Sequence, residues 1–160
     1  MLQRLDEGYL AAATADAAVV QRFQDKLVLV PGSECVWWTG AVSGRGHGRF
    51  WIGAGQVVIA HRFAYALVHG VNALPALLGH RCDNPLCQRI GEGHVVESTA
   101  ALNRGEWLAR RHVANGPLAD PRGPRGRAIA LRNLARVDGA AVRADIDRIE
   151  LLVGYQPPLF

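Results

Sequence analysis

Gly79-His80-Arg81-Cys82-Asp83-Asn84-Pro85-Leu86-Cys87, followed by His94 and then by Asn103, decides how the rest of this 160-residue chain is read. Two cysteines and a histidine in a Cys-x4-Cys-x6-His arrangement have the donor types and close spacing of a zinc site, which takes thiolate and imidazole ligands in a tetrahedron. The one remaining cysteine, Cys35, supplies a fourth ligand, so the expected set is Cys35, Cys82, Cys87 and His94. Four protein ligands close the shell, and an ion held that way is structural. Two rival readings stand beside this one. Cys82 and Cys87 can be core thiols or a disulfide, or His80 can complete the shell in place of Cys35.

Outward from the motif, Leu77-Leu78-Gly79-His80 reads as a short strand and Val95-Val96-Glu97 as its partner. Ser98 or Thr99 N-caps a helix running from residue 100 to about 112. Residues 60–70 have helical spacing, with Phe63 and Leu67 inward and Gly70 closing the end. Cys35-Val36-Trp37-Trp38-Thr39-Gly40, Arg49-Phe50-Trp51-Ile52 and Gln56-Val57-Val58-Ile59 have strand composition and predict a three-stranded antiparallel sheet, packed by Trp37, Trp38 and Trp51. The loop Gly44-Arg45-Gly46-His47-Gly48 is no P-loop, since it lacks the Gly-Lys-Ser/Thr ending. Residues 9–27 read as one packing helix and residues 28–34 as a lead into a turn. Residues 115–127 read as irregular and basic, and residues 128–152 as one helix stopped by Gly154 and sealed by Pro157-Pro158.

Composition bounds the class. With 49% hydrophobic and 20% charged residues the chain is globular. No apolar run approaches the ~20 residues of a membrane span. The opening Met1-Leu2-Gln3-Arg4-Leu5-Asp6-Glu7 carries acid where a signal peptide carries basic charge. A cytoplasmic protein is expected, where cysteines serve more often as metal ligands than as disulfides. Residues 1–103 balance 8 basic against 8 acidic side chains, so the net charge of +4 arises after the motif. Lys26 is the only lysine, and the guanidinium groups that supply the rest suit bidentate phosphate contact, unless they form a solvated face.

Several of these segments together resemble the HNH endonucleases (ββα-metal, or His-Me finger), in particular the phage-type HNH group and the His-Cys box homing endonucleases. The resemblance rests on Cys35-Val36-Trp37-Trp38-Thr39-Gly40, Gly48-Arg49-Phe50, Ala60-His61-Arg62-Phe63-Ala64-Tyr65, the run from His80 to Cys87, His94 and Asn103. It spans roughly residues 18–108; where the family has a short Asn-Pro-x-His-Leu segment after the second cysteine, residues 88–93 run longer. It implies an α+β fold, with a small antiparallel sheet, a zinc-bound ββα-metal core and a helical C-terminal extension. The whole of 1–160 is then one domain: helix and turn over 1–34, sheet and core over 35–112, basic segment and helix over 113–160.

The implied activity is metal-dependent DNA hydrolysis to 5′-phosphate and 3′-hydroxyl ends, site-specific in the restriction or homing manner. The alternative is a catalytically inactive, zinc-stabilised DNA-binding module. In the enzyme, His80 is the general base. Asn103 holds a catalytic Mg²⁺, replaceable by Mn²⁺, beside the structural Zn²⁺. The residue before the base, often aspartate in the family, is Gly79 here, which leaves Asn103 almost alone as a ligand. Either Arg49 or Arg62 holds the scissile phosphate, while His61 is read as structural. Arg122, Arg125 and Arg127 lie in a Pro/Gly/Arg segment that resembles a minor-groove arm, or else a solvated linker. The expected partner is double-stranded DNA, with no membrane and no small-molecule substrate. A homodimer is open to the chain through its last helix, Leu151-Leu152-Val153 and Leu159-Phe160, which can equally pack on their own core.

Overall fold

The computed structural model describes residues 7–113 and 116–154, and in it the chain begins with two helices where apolar spacing suggests one. Glu7–Ala15 (α1) ends before Asp16, whose extended backbone breaks the helix. The Asp16 carboxylate then accepts the N–H groups of Ala18 and Val19 at 2.8 and 3.3 Å and starts Ala17–Gln24 (α2). The region after α2 also departs from expectation. Leu27–Leu29 is a strand (β1), paired antiparallel with Val36–Trp38 (β2), Leu27 opposite Trp38.

The three-stranded sheet is present but does not include β2. It is made of Ala41–Val42 (β3), Gly48–Gly53 (β4) and Gln56–Ile59 (β5), in that order. The reason is the indole of Trp38. It donates from Nε1 to the Ala41 carbonyl at 2.9 Å, and a Cβ on either Gly40 or Gly48 would run into the ring. The chain thus turns tightly around its own tryptophan, which ends β2 and sends β3 to a different sheet. Along β4, Gly48, Phe50 and Ile52 face inward while Arg49 and Trp51 face out. Phe50 stacks with Phe23, Trp38 and Phe63, ring centroids 4.9–5.9 Å apart, in a fully buried aromatic centre. Trp51 does not pack the core as expected; it is 54% exposed, with the Arg22 guanidinium 5.0 Å above its ring.

The middle of the chain follows its sequence signals closely. Ala60–His69 (α3) stops at Gly70, φ 86°. Leu77–His80 (β6) pairs antiparallel with Val95–Ser98 (β7), His80 opposite Val95, and residues 81–94 form the loop between them. Thr99 caps Ala100–Arg110 (α4) by accepting the Leu102 N–H at 3.2 Å.

The C-terminal part needs two corrections. Gly123–Ala135 (α5) already takes in the last part of the segment read as irregular, residues 123–127, and Gly139–Gly154 (α6) is separate from it. Asp138 makes the break by accepting the Ala140 N–H at 2.9 Å. Ala128, Leu131 and Ala135 of α5 and Val142 of α6 join the buried cluster that begins at Leu10. Arg132 and Arg136 donate to the carbonyls of Gly40 and Thr39 at 3.3 and 2.7 Å, which seats α5 beside β2 and β3. Leu151 and Leu152 are exposed on α6. The readings made for residues 1–6, Asn115, Pro157-Pro158 and Leu159-Phe160 fall outside the described residues. The architecture is mixed α/β with small antiparallel sheets, and no described helix is long and apolar enough to cross a membrane.

Candidate metal centre and cleft

Local turns bring the four expected ligands together. After β6, Asp83 adopts a left-handed φ of 52°, and the Asn84 side chain accepts the Leu86 N–H at 3.1 Å. The Asn84 carbonyl accepts the Cys87 N–H at 3.0 Å, so Cys82 and Cys87 face each other across one tight turn. That turn is sewn to β2: Trp38 donates to the Leu86 carbonyl at 2.9 Å and Gln88 to the Val36 carbonyl at 2.8 Å. Cys35, just ahead of β2, is carried to the thiols by this pairing. The longer 88–93 segment contains Gly91 and Gly93, both at positive φ, and folds back so that Arg81 donates to the His94 carbonyl at 2.8 Å. His94 therefore reaches the cluster despite the extra length.

The ligand atoms of Cys35, Cys82, Cys87 and His94 all lie within 4.8 Å of one another. His94 Nδ1 is 3.7 Å from Cys35 Sγ and 3.6 Å from Cys87 Sγ. A tetrahedral zinc shell with ordinary Zn–S and Zn–N bonds has a sulfur–nitrogen edge of about 3.6 Å. The cysteines are free thiols, not a disulfide. Hydrogen bonds from Cys82 and Cys87 hold the Cys35 thiol far below its usual range, overcoming its burial. The hydrogen bond to Cys35 in turn pushes Cys82 up to about 11 and Cys87 higher still. Thiols so close deprotonate together only around a cation, and these four residues could hold a metal ion such as zinc. His94 Nε2 lies 3.9 Å from a Glu34 carboxylate oxygen, so its other nitrogen is the one turned to the sulfurs.

His80 is outside this set. It ends β6 with its imidazole against two other histidines: Nε2 is 3.2 Å from His61 Nδ1, and the ring centroids of His61 and His47 are 4.6 and 5.5 Å away. Burial, then the charge of His47, lowers His80 to about 3 against an opposing pull from Cys35. Burial likewise lowers His61 and His47, so all three rings are neutral near neutral pH. His80 Nδ1 is buried and has no hydrogen-bond partner among the described residues.

The three histidines line a cleft of about 1030 Å³ together with Arg62 and Asn103. Asn103 is in the first turn of α4, and a Cβ on Gly79 would lie 3.6 Å from its Oδ1, so the position before His80 faces the asparagine. Arg62 donates from Nη1 to the Pro75 and Ala76 carbonyls at 3.0 and 3.3 Å, which fixes it on the cleft wall. Arg49 is not brought there. It lies on the exposed face of β4 and does not line the cleft.

Two of the three arginines read as a DNA arm are occupied in the fold. Arg122 donates to Asp120 and Asp145 at 2.7 and 2.8 Å, and Arg127 is buried 3.6 Å from Asp120. Only Arg125 remains exposed, joined on the cleft by Arg45 and Arg104; none of these three makes an ion pair among the described residues. His47 and Trp107 also line the cleft and were not singled out from sequence. His47 is flanked by glycines in a loop, and Trp107 lies four residues beyond Asn103, which were the available signals.

No family model matches the chain, and no solved structure does. Among curated proteins, Protein 7.7 of Escherichia phage T7 is 32% identical over 83 residues, 52% of this chain and 62% of that protein. The chain thus spans less than two thirds of that relative's length, and the relative's name states no activity.

Proposed function

We propose that this chain is a zinc-stabilised, metal-dependent DNA endonuclease of the HNH type. The observation that carries the reading is the buried, unpartnered Nδ1 of His80, in a ring supported by His61 and sharing a cleft with Asn103 and Arg62. A buried polar atom left without a partner calls for one, and a water to be activated is a partner that fits a cleft histidine. The Cys35–Cys82–Cys87–His94 set takes Zn²⁺ as a structural ion that ties β2 to the loop after β6.

In this reading His80 Nε2–H donates to His61 Nδ1, which leaves His80 Nδ1 as a bare acceptor. That nitrogen takes a proton from the attacking water. Asn103 offers a hard carbonyl oxygen of the kind Mg²⁺, or Mn²⁺ in its place, accepts beside substrate oxygens. When bound, such an ion supplies electrostatic stabilisation of charge on the departing 3′ oxygen. Arg62, anchored through Nη1, has its other N–H groups left for the phosphate. The strand is cut to a 5′-phosphate and a 3′-hydroxyl. One such site cuts one strand, and cutting both strands of double-stranded DNA requires two copies of the chain, a homodimer.

The test is incubation of supercoiled plasmid and single-stranded circular DNA with protein and Mg²⁺, wild type beside H80A. Wild type is expected to convert one or both substrates, and H80A neither. Both substrates intact with wild type would reject the enzyme and leave the DNA-binding module.

A further inference from the structure

We infer that the cleft takes a single strand of DNA, with one unstacked base seated on the Trp107 indole beside the phosphate addressed by Asn103. The inference rests on the nuclease reading for the kind of ligand. Trp107 is 47% exposed although it lines the cleft. It lies one turn beyond Asn103 on the same face of α4, about 6 Å along the axis, an interval that one nucleotide bridges. One face of its ring already carries the Arg111 guanidinium, 4.7 Å from the centroid. That contact holds the plane of the indole and leaves the other face for a flat ligand.

Charge and shape agree with this. Arg104, on α4, and Arg125, at the start of α5, line the same cleft without ion pairs of their own among the described residues, as a backbone-tracking groove requires. The far wall, with Leu118 and Pro124, is fixed, because Arg122 bonds both Asp120 beside it and Asp145 of α6. A duplex keeps its bases stacked inside two phosphate backbones and offers none to an indole on a cleft wall. An unpaired base does so without the cost of extrusion.

The experiment uses the full chain carrying H80A, so that binding is read without cutting. Fluorescence anisotropy is measured with a labelled 12-nucleotide single strand, its duplex, and the same strand made abasic. The single strand is expected to bind more tightly than the duplex. Adding W107A should weaken the single strand about tenfold, the order of one lost base stack, and W107F should recover most of it. The abasic strand should bind weakly and ignore W107A. Equal affinity of H80A and H80A/W107A for the strand, a duplex bound as tightly, or no binding to the strand overturns the inference. These affinities do not depend on catalysis, so a wild type inert on both the plasmid and the single-stranded circle sinks the enzyme reading alone.

Discussion

His61 Nδ1 and His80 Nε2, 3.2 Å apart, share one proton, and its direction decides whether His80 Nδ1 accepts or donates. Replacing His61 tests that direction. H61A removes the acceptor and frees the His80 ring to change tautomer, so strand cleavage should fall about a hundredfold, the usual size of a lost acid–base contribution. H61N keeps an acceptor oxygen near the same place and should recover part of the rate. Single-turnover rates and DNA affinity measured side by side check this; a loss of binding equal to the loss of rate would make His61 a packing residue only. His80, Asn103 and the ligands near it were legible because they sit within 24 residues of one another, in a pattern set by local chemistry. His47 was not, since only tertiary folding brings its ring to 5.4 Å from His61, and no spacing encodes that. The sequence leaves Arg49 and Arg62 as alternatives for a related reason: only the fold shows that strand alternation turns Arg49 out while Arg62, just after the helix start at Ala60, lines the cleft.

At the scale of elements, the segment before α5 shows how composition misleads. Proline, glycine and arginine together look like a flexible arm, yet Gly123 takes φ +70° and Pro124 occupies the first turn of α5, where its missing N–H costs nothing. The arginines find acids at Asp120, next door, and at Asp145, 23 residues on, and the second is invisible to any local reading. Burial opposes ionisation of both carboxyls, but hydrogen bonds from Arg122, and from Arg148 to Asp145, overcome it and hold both below the ordinary carboxylate value. Their contribution to stability is therefore complete above the unfolded value of about 3.9 and is lost as pH falls through the lower folded values. D120N should cost about 3 kcal/mol at pH 7, because it leaves buried Arg127 and Arg122 short of a charge. The deficit should shrink at pH 3, as seen in urea midpoints at the two pH values. An equal deficit at both would mean that packing, not charge, is lost. In contrast, R45A, R104A and R125A should leave those midpoints alone and each reduce the salt slope of DNA binding by about one unit; an unchanged slope removes them from the interface.

At the scale of the molecule, the helices and strands punctuated by Gly70 and Thr99 fell where the sequence put them, whereas the seating of α5 did not follow from sequence. Arg132 and Arg136 reach Gly40 and Thr39 across 92 and 97 positions, a partnership no periodicity announces. The same part of the fold carries the four candidate metal ligands. Cys35 lies in the connection between β1 and β2 and the other three ligands in the loop between β6 and β7, so the cluster joins the ends of two sheets that share no strand. Structural zinc in such a place contributes on the order of 10 kcal/mol, comparable to the whole stability of a domain this size. Purified protein should therefore contain one zinc per chain. Stripping it with a strong chelator, or making C87S or H94A, should lower the thermal midpoint by more than about 10 °C. H80A and N103A should keep both zinc and midpoint, because neither residue belongs to the shell. A chain that loses its zinc and melts unchanged would show the four ligands to be a buried cluster of thiols without a structural ion, while zinc loss in H80A would place that imidazole in the shell and remove it from the chemistry.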